Sequence, residues 1–126
     1  MRQHTIIGQR IIGAAPELRS VGAIVRSSHE RFDGGGYPDA LAGEEIPLGA
    51  RIVAVCDAYD AMVTDRAYRR GRPPHEALEE LERCSGGQFD PDVVVAFIAV
   101  MANDFAAHEC AVARKGSIER ALDVIN

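Results

Sequence analysis

The sequence predicts an all-α chain interrupted by one long glycine-rich loop. Three observations carry that expectation. Apolar residues recur at three- and four-residue spacing through most of the chain, the period of a helix face rather than of a strand. Residues 30–46 break that pattern with Gly34-Gly35-Gly36, Pro38 and Gly43. The 126 residues are 47% hydrophobic and 26% charged, the balance of one folded domain rather than of a disordered chain.

Taken in order, residues 1–14 put Ile6, Ile7, Ile11 and Ile12 at helical offsets, and Pro16 ends that helix or opens the next. Residues 17–29 predict a second helix, with Leu18, Val21, Ile24 and Val25 on one face and Arg19 and Arg26 outside it. The loop of residues 30–46 follows, where the Gly run permits backbone angles that other residues avoid. Pro47 then sits at the first turn of a helix over 47–64, whose apolar set is Leu48, Ile52, Val55, Ala58, Tyr59 and Met62. The alternative there is a buried strand at 51–56, since IVAV is largely β-branched. The length of the pattern favours the helix.

Residues 65–73, DRAYRRGRP, read as a basic loop. Pro74 to Cys84 predicts a helix with Ala77, Leu78 and Leu81 inward, stopped by Ser85-Gly86-Gly87. Asp90 is a good N-cap and Pro91 a good first residue for a helix through Val94, Phe97, Ile98 and Met101. Residues 103–115 are weakly patterned helix, and Ser117 caps a last short one with Ile118, Leu122 and Ile125. The chain therefore divides into a body over 1–102 and a helical extension over 103–126. With no Trp and 6% aromatics, the core is built from Ala, Val, Ile and Leu.

The net charge is −5 and the pI about 5.3, which disfavours a broad grip on duplex nucleic acid or an anionic membrane. The sequence has no uninterrupted apolar run of about 18 residues, so no membrane span is expected. The N-terminus lacks the apolar core of a signal peptide. Cys56, Cys84 and Cys110 form no CxxC pair. Free thiols in a reducing cytoplasm are the expectation.

Several residues could carry chemistry. His4 lies near the start of the first helix, and His29 lies at the edge of the loop. Asp57 and Asp60 are one turn apart on the third helix. Two imidazoles and a carboxylate suit Fe, Mn or Zn. Singly, each has an ordinary structural explanation, but Asp57 in the apolar run AVCDAYDAM needs a partner if it is buried. Arg66, Arg69, Arg70 and Arg72 crowd around Tyr68, and Arg forks suit phosphate oxygens. A solvated basic loop is the alternative. The GGGY segment lets backbone approach a ligand, with Tyr37 able to stack on a base.

The stretch HERFDGGGYPDALAGEEIPLGARIVAVCDAYDAMVTDRAYR resembles the signature of the HD-GYP family, HHExxDGxGYPxGLxGxxIPxxARIxxVxDxxDAxxxxRPYR. The later QFDPDVVVAF is similar to that family's GxxFDPxxVxxF, so the resemblance covers roughly residues 1–100. It implies a helical bundle of the HD phosphohydrolase type, hydrolysing cyclic di-GMP or a related cyclic dinucleotide to pGpG or GMP in bacterial signalling. It implies a divalent metal, iron or manganese above all, held by His4, His29 and Asp57. Asp33, Gly34, Gly36, Tyr37 and Pro38 match the substrate-binding loop, and Arg66 and Arg69 match positions that hold the nucleotide's phosphates. On this basis His4, His29 and Asp57 should converge, with Tyr37, Arg66 and Arg69 facing the same cleft.

The departures from the family pattern shape the functional expectation. The family's His-Asp pair lies upstream of the helix holding His4, and no His-Asp dipeptide occurs in these 126 residues. Ser28 stands where the first His of HHE belongs, Ala40 replaces a Gly, and Ala67 replaces the Pro of RPYR. The chain is thus expected to be the C-terminal part of the domain, truncated at its N-terminus. One metal should bind weakly, with water completing its shell. Activity alone should be weak or absent. The alternative is a non-catalytic cyclic di-GMP-binding or protein-interaction module, with a diguanylate cyclase domain as a plausible partner. Apolar faces left bare on the first three helices point to a homo-oligomer.

Overall fold

The computed structural model describes residues 3–123, with side chains to residue 113. Five helices account for most of it: α1 (His4–Gly13), α2 (Arg19–Arg26), α3 (Leu48–Val63), α4 (Pro74–Arg83) and α5 (Pro91–Asp123). Short 3-10 turns occupy Pro16–Leu18 and Gly43–Glu45. Among the described residues there are only isolated bridges, such as Asp33 with Ala42 and Ser85 with Phe89. The strand considered at 51–56 is therefore helix, and the all-α expectation holds.

Element boundaries follow local chemistry. Pro16 opens a 3-10 turn rather than an α-helix, so α2 starts at Arg19, two residues later than the sequence pattern suggested. Pro47 takes an extended conformation as the N-cap of α3 instead of its first turn. Asp90 caps α5 as expected, with Asp92 N donating to Asp90 Oδ1 at 2.9 Å.

The chain forms two units, Met1–Val95 and Ala96–Asn126. In the first, α1 packs on α2, and α3 packs on α4 and more lightly on α2. Its core is Ile46, Ala50, Val55, Ala77, Leu81, Phe89 and Val94. Phe89 joins the aliphatic set that composition led one to expect. One buried ion pair crosses this core. Arg51 Nη1 donates to Asp90 Oδ2 at 2.6 Å, and Arg51 Nε donates to Ile46 O at 2.9 Å. The helix faces expected to be bare are bare: Ile7 and Ile11 on α1 and Leu48, Ile52 and Val53 on α3 are exposed.

The second unit is helical from Ala96 to Asp123. Two expectations are corrected here. The helices foreseen over 103–115 and from Ser117 are one continuous α5, because Asn103-Asp104 and Gly116-Ser117 weaken a helix without breaking it as Pro would. The side chains of Ile118, Leu122 and Ile125 lie outside the described residues. Further, Pro91–Ala113 is long and apolar enough to cross a membrane, by length and composition alone. The sequence has no uninterrupted apolar run, as read above, but Asp104 and Glu109 interrupt this helix without much lowering its mean, so the lack of a run does not by itself exclude a span. Val100, Phe105 and Val112 are exposed along it.

Candidate functional site

The 30–46 loop is held from both sides. Phe32 N donates to Gln88 O at 3.2 Å and Asp33 N to Gly87 O at 2.9 Å, which stitches the loop to the turn ahead of α5. Arg26, from α2, grips Asp39 with both arms of its guanidinium, at 2.6 and 2.7 Å, and reaches Gln9 Oε1 on α1 at 3.0 Å. Within the loop, Arg31 pairs with Asp33 at 2.7 Å, and Asp33 Oδ1 also accepts Gly35 N at 2.9 Å.

These contacts set the local electrostatics. The Arg31 guanidinium, and after it the Gly35 N–H, hold the Asp33 carboxyl at about 2, below its ordinary 3.8. Arg26 likewise holds the Asp39 carboxyl below the usual range, while Asp39 raises Arg26. Both acids are depressed in the folded chain. Their contribution is therefore complete above the ordinary carboxylate range and is lost as pH falls through the depressed values. Both pairs are partly solvent-exposed, so each contribution is small.

The loop's tip requires glycine at one point above all. A Cβ on Gly36 would collide with the backbone of Glu30 and Arg31. This close approach lets Tyr37 N donate to His29 O at 3.2 Å, just before the cis Tyr37–Pro38 peptide. Ala40 sits at φ 55°, in the left-handed region that favours glycine. The family's pattern has Gly there. Ala40→Gly is expected to raise stability by roughly 1 kcal/mol in urea unfolding, because the Cβ strain at this φ exceeds the entropy that glycine loses. An unchanged or lower midpoint would contradict it.

Above the loop, the His29 ring stacks on Tyr37, with centroids 5.3 Å apart and planes 27° apart. His4 meets His29 edge-on at 5.0 Å. A cavity of about 350 Å³ opens beside them, lined among others by Ser28, His29, Tyr37, Asp57 and Gln88. His29, Tyr37 and Asp57 thus share one space. His4 reaches it through His29 rather than lining it. Ser28 gives its hydroxyl hydrogen to Val25 O at 2.9 Å.

Asp57 is exposed, as is Asp60, which accepts a bond from Thr64 Oγ1 at 3.2 Å. The apolar sequence around Asp57 does not bury it, because Ile52, Val53 and Cys56 on α3 are exposed too. Among the described residues no three His, Cys, Asp or Glu side chains come close enough to hold a metal ion together. The donor types suit a divalent metal, but as placed they make no closed centre, so the described residues alone do not fit a firmly bound ion.

The arginines lie on the loop that follows α3. Arg66 and Arg69 pair through their backbones at 2.8 and 3.1 Å, and Arg69 Nη2 donates to Ala61 O at 2.6 Å. Neither lines the cavity, although Ala61 does. A Cβ on Gly71 would collide with the Val63 carbonyl, so the basic loop is pressed against the end of α3. Sequence reasoning passed over Glu30, Arg26 with Asp39, and Gln88. The Glu of the HHE signature, directly before the Gly-rich loop, was the available signal for Glu30.

The geometry above is that of a known class. The model of the HD domain family matches residues 1–93. The chain belongs to that family, in its HD-GYP group. It is 46% identical over 100 residues to a cyclic di-GMP phosphodiesterase of Thermotoga maritima, covering 78% of this chain and 27% of that protein. It is 43% identical over 100 residues to a cyclic di-GMP phosphodiesterase response regulator of Xanthomonas campestris, covering 78% and 26%. A crystal structure of a cyclic GMP-AMP specific phosphodiesterase from Vibrio cholerae is similar at a TM-score of 0.59 and 29% identity, covering 68% of this chain and 19% of that one. The chain thus spans about a quarter of the length of the two curated relatives. HD phosphohydrolases depend on divalent metal in general.

Proposed function

We propose that this chain forms the loop-bearing part of a metal-dependent phosphodiesterase domain for cyclic di-GMP, and that alone it turns the nucleotide over weakly or not at all. The observation that carries this is the His29–Tyr37 stack beside a cavity with Asp57 on its wall. Tyr37 offers aromatic surface to a guanine base, with Gly34, Gly36 and Pro38 shaping the backbone around it. Arg69, bonded to Ala61 O on the cavity wall, and Arg66, paired with it through the backbone, would supply from the rim the positive charge that two phosphates need. Iron or manganese is the metal assigned to the complete domain, since two imidazoles and one carboxylate suit either. His4, His29 and Asp57 are the donors this chain contributes.

A second reading is favoured by Ser28 in place of a histidine. It is a non-catalytic nucleotide-binding or interaction module, partnered by a diguanylate cyclase domain. The proposal includes a cytoplasmic location in a bacterium and no role for duplex nucleic acid. It also includes no membrane insertion, since Asp104 near the middle of the apolar part of α5 opposes it. Calorimetry with cyclic di-GMP, with and without Mn²⁺, tests the ligand. Arg66→Ala is expected to weaken binding by roughly 1.5–3 kcal/mol, the range for a charged hydrogen bond. No binding by the unmodified chain would end the ligand reading and leave the interaction module.

Self-association completes the proposal. Hiding about 400 Å² of the apolar surface at Ile7, Ile11, Leu48 and Ile52 would favour pairing by roughly 10 kcal/mol before entropic costs. Sedimentation velocity at micromolar concentration should show a dimer or larger species. A clean monomer would refute it.

A further inference from the structure

Glu30 is only 5% exposed, yet among the described residues it belongs to no ion pair. A buried carboxylate without a counter-ion persists only where hydrogen bonds replace its water. Here both oxygens are used, and both on the far limb of the loop. Oε1 accepts Asp39 N at 2.7 Å, and Oε2 accepts Leu41 N at 3.0 Å. Arg26 feels the Glu30 charge but gives its hydrogen bonds to Asp39 and Gln9.

We infer that Glu30 is a positioning residue, whose carboxylate sets the ring of Tyr37 against His29. The inference rests on the proposed function, because it gives Glu30 the task of holding one wall of the proposed nucleotide site. The geometry leaves little freedom. Tyr37 N is anchored to His29 O, the residue before Glu30. Two residues beyond Tyr37, the chain is anchored again on the Glu30 carboxylate. Gly36 lies against the Glu30 backbone. Tyr37 is therefore bracketed between two main-chain anchors, with its ring laid on that of His29. An amide at position 30 offers one oxygen and one NH₂, so one loop N–H would face another donor. An aspartate is one methylene too short to reach both.

The test reads the His29 ring by ¹H–¹³C NMR in the full chain, with Tyr37→Ala as the reference lacking an aromatic neighbour. In Glu30→Gln, with far-UV circular dichroism unchanged, the His29 ring resonances are expected to move at least halfway to their Tyr37→Ala positions. Cyclic di-GMP affinity is expected to fall about tenfold, the loss of one hydrogen bond to a charged group. A folded Glu30→Gln chain whose His29 resonances match the unmodified chain overturns the inference. Should Glu30→Gln fail to fold, amide exchange in the unmodified chain decides. Strong protection of Asp39 and Leu41 N–H supports the clamp, and exchange at free-loop rates overturns it. Failure of the unmodified chain to bind cyclic di-GMP ends the ligand reading only, since the His29 shift is read without nucleotide.

Discussion

Asp90→Ala is expected to remove about 3–5 kcal/mol of unfolding free energy, the range for breaking a buried ion pair by deleting one partner. Asp90 is 4% exposed and has two tasks. It caps the first turn of α5 through Asp92 N, and it neutralises Arg51 across the core. Deleting it leaves the half-buried Arg51 with one remaining acceptor, Ile46 O, and removes the cap, which alone contributes about 1 kcal/mol. Urea unfolding followed by circular dichroism measures the loss. Pairing Asp90→Ala with Arg51→Met should recover a large part of it, because the orphaned charge is then gone. A single substitution costing under 1 kcal/mol would show that solvent at the exposed part of Arg51 compensates the lost partner, and would contradict the expected loss.

Gly36→Ala should be nearly as damaging, at about 3 kcal/mol, with the damage centred on the loop. The added Cβ meets the backbone of Glu30 and Arg31, which cannot swing away as a flexible side chain can. The loop must shift, and Tyr37 with it. The His29–Tyr37 stack should therefore be lost, visible in the His29 ring resonances, even where the helices persist. Gly35→Ala is the matched control. Its nearest neighbour is the Asp33 carboxylate at 3.1 Å, a side chain that can yield, so its effect should stay below about 1 kcal/mol. Equal effects at the two positions would contradict the steric argument.

The helices were legible because their cause is local. The spacing of Ala77 and Leu81 specifies α4, and the Asp90-Pro91 pair marks the start of α5 within a residue. The long glycine-rich loop was equally plain. Boundaries that depend on competition were not: Pro16 was compatible with either a break or a 3-10 turn, and Asn103 and Gly116 looked like ends of helices that in fact run on. The site was legible only as far as the motif reached. His29, Tyr37 and Asp57 do share a cavity. The exposure of Asp57 could not be read from its apolar neighbours, because burial depends on what packs against α3 and not on α3 alone. The Arg51–Asp90 pair spans 39 residues, and Glu30 bonds across nine and eleven. No periodic pattern encodes contacts at such distances.

The bonds from Phe32 and Asp33 to Gln88 and Gly87 have a consequence for the order in which a newborn chain becomes itself. Synthesis proceeds from the N-terminus at roughly 5–20 residues per second, so the second half of this stitch is made roughly 3–11 s after the first. Through that interval α1, α2 and α3 can form while the loop between them lacks its acceptors. The cavity-facing corner of the chain is thus among its last parts to close, and it waits on a turn that contributes little to the cavity beyond Gln88 and Phe89. Codon changes that slow translation between residues 34 and 88 should lengthen the time this corner stays open to proteases, while leaving the finished protein chemically identical.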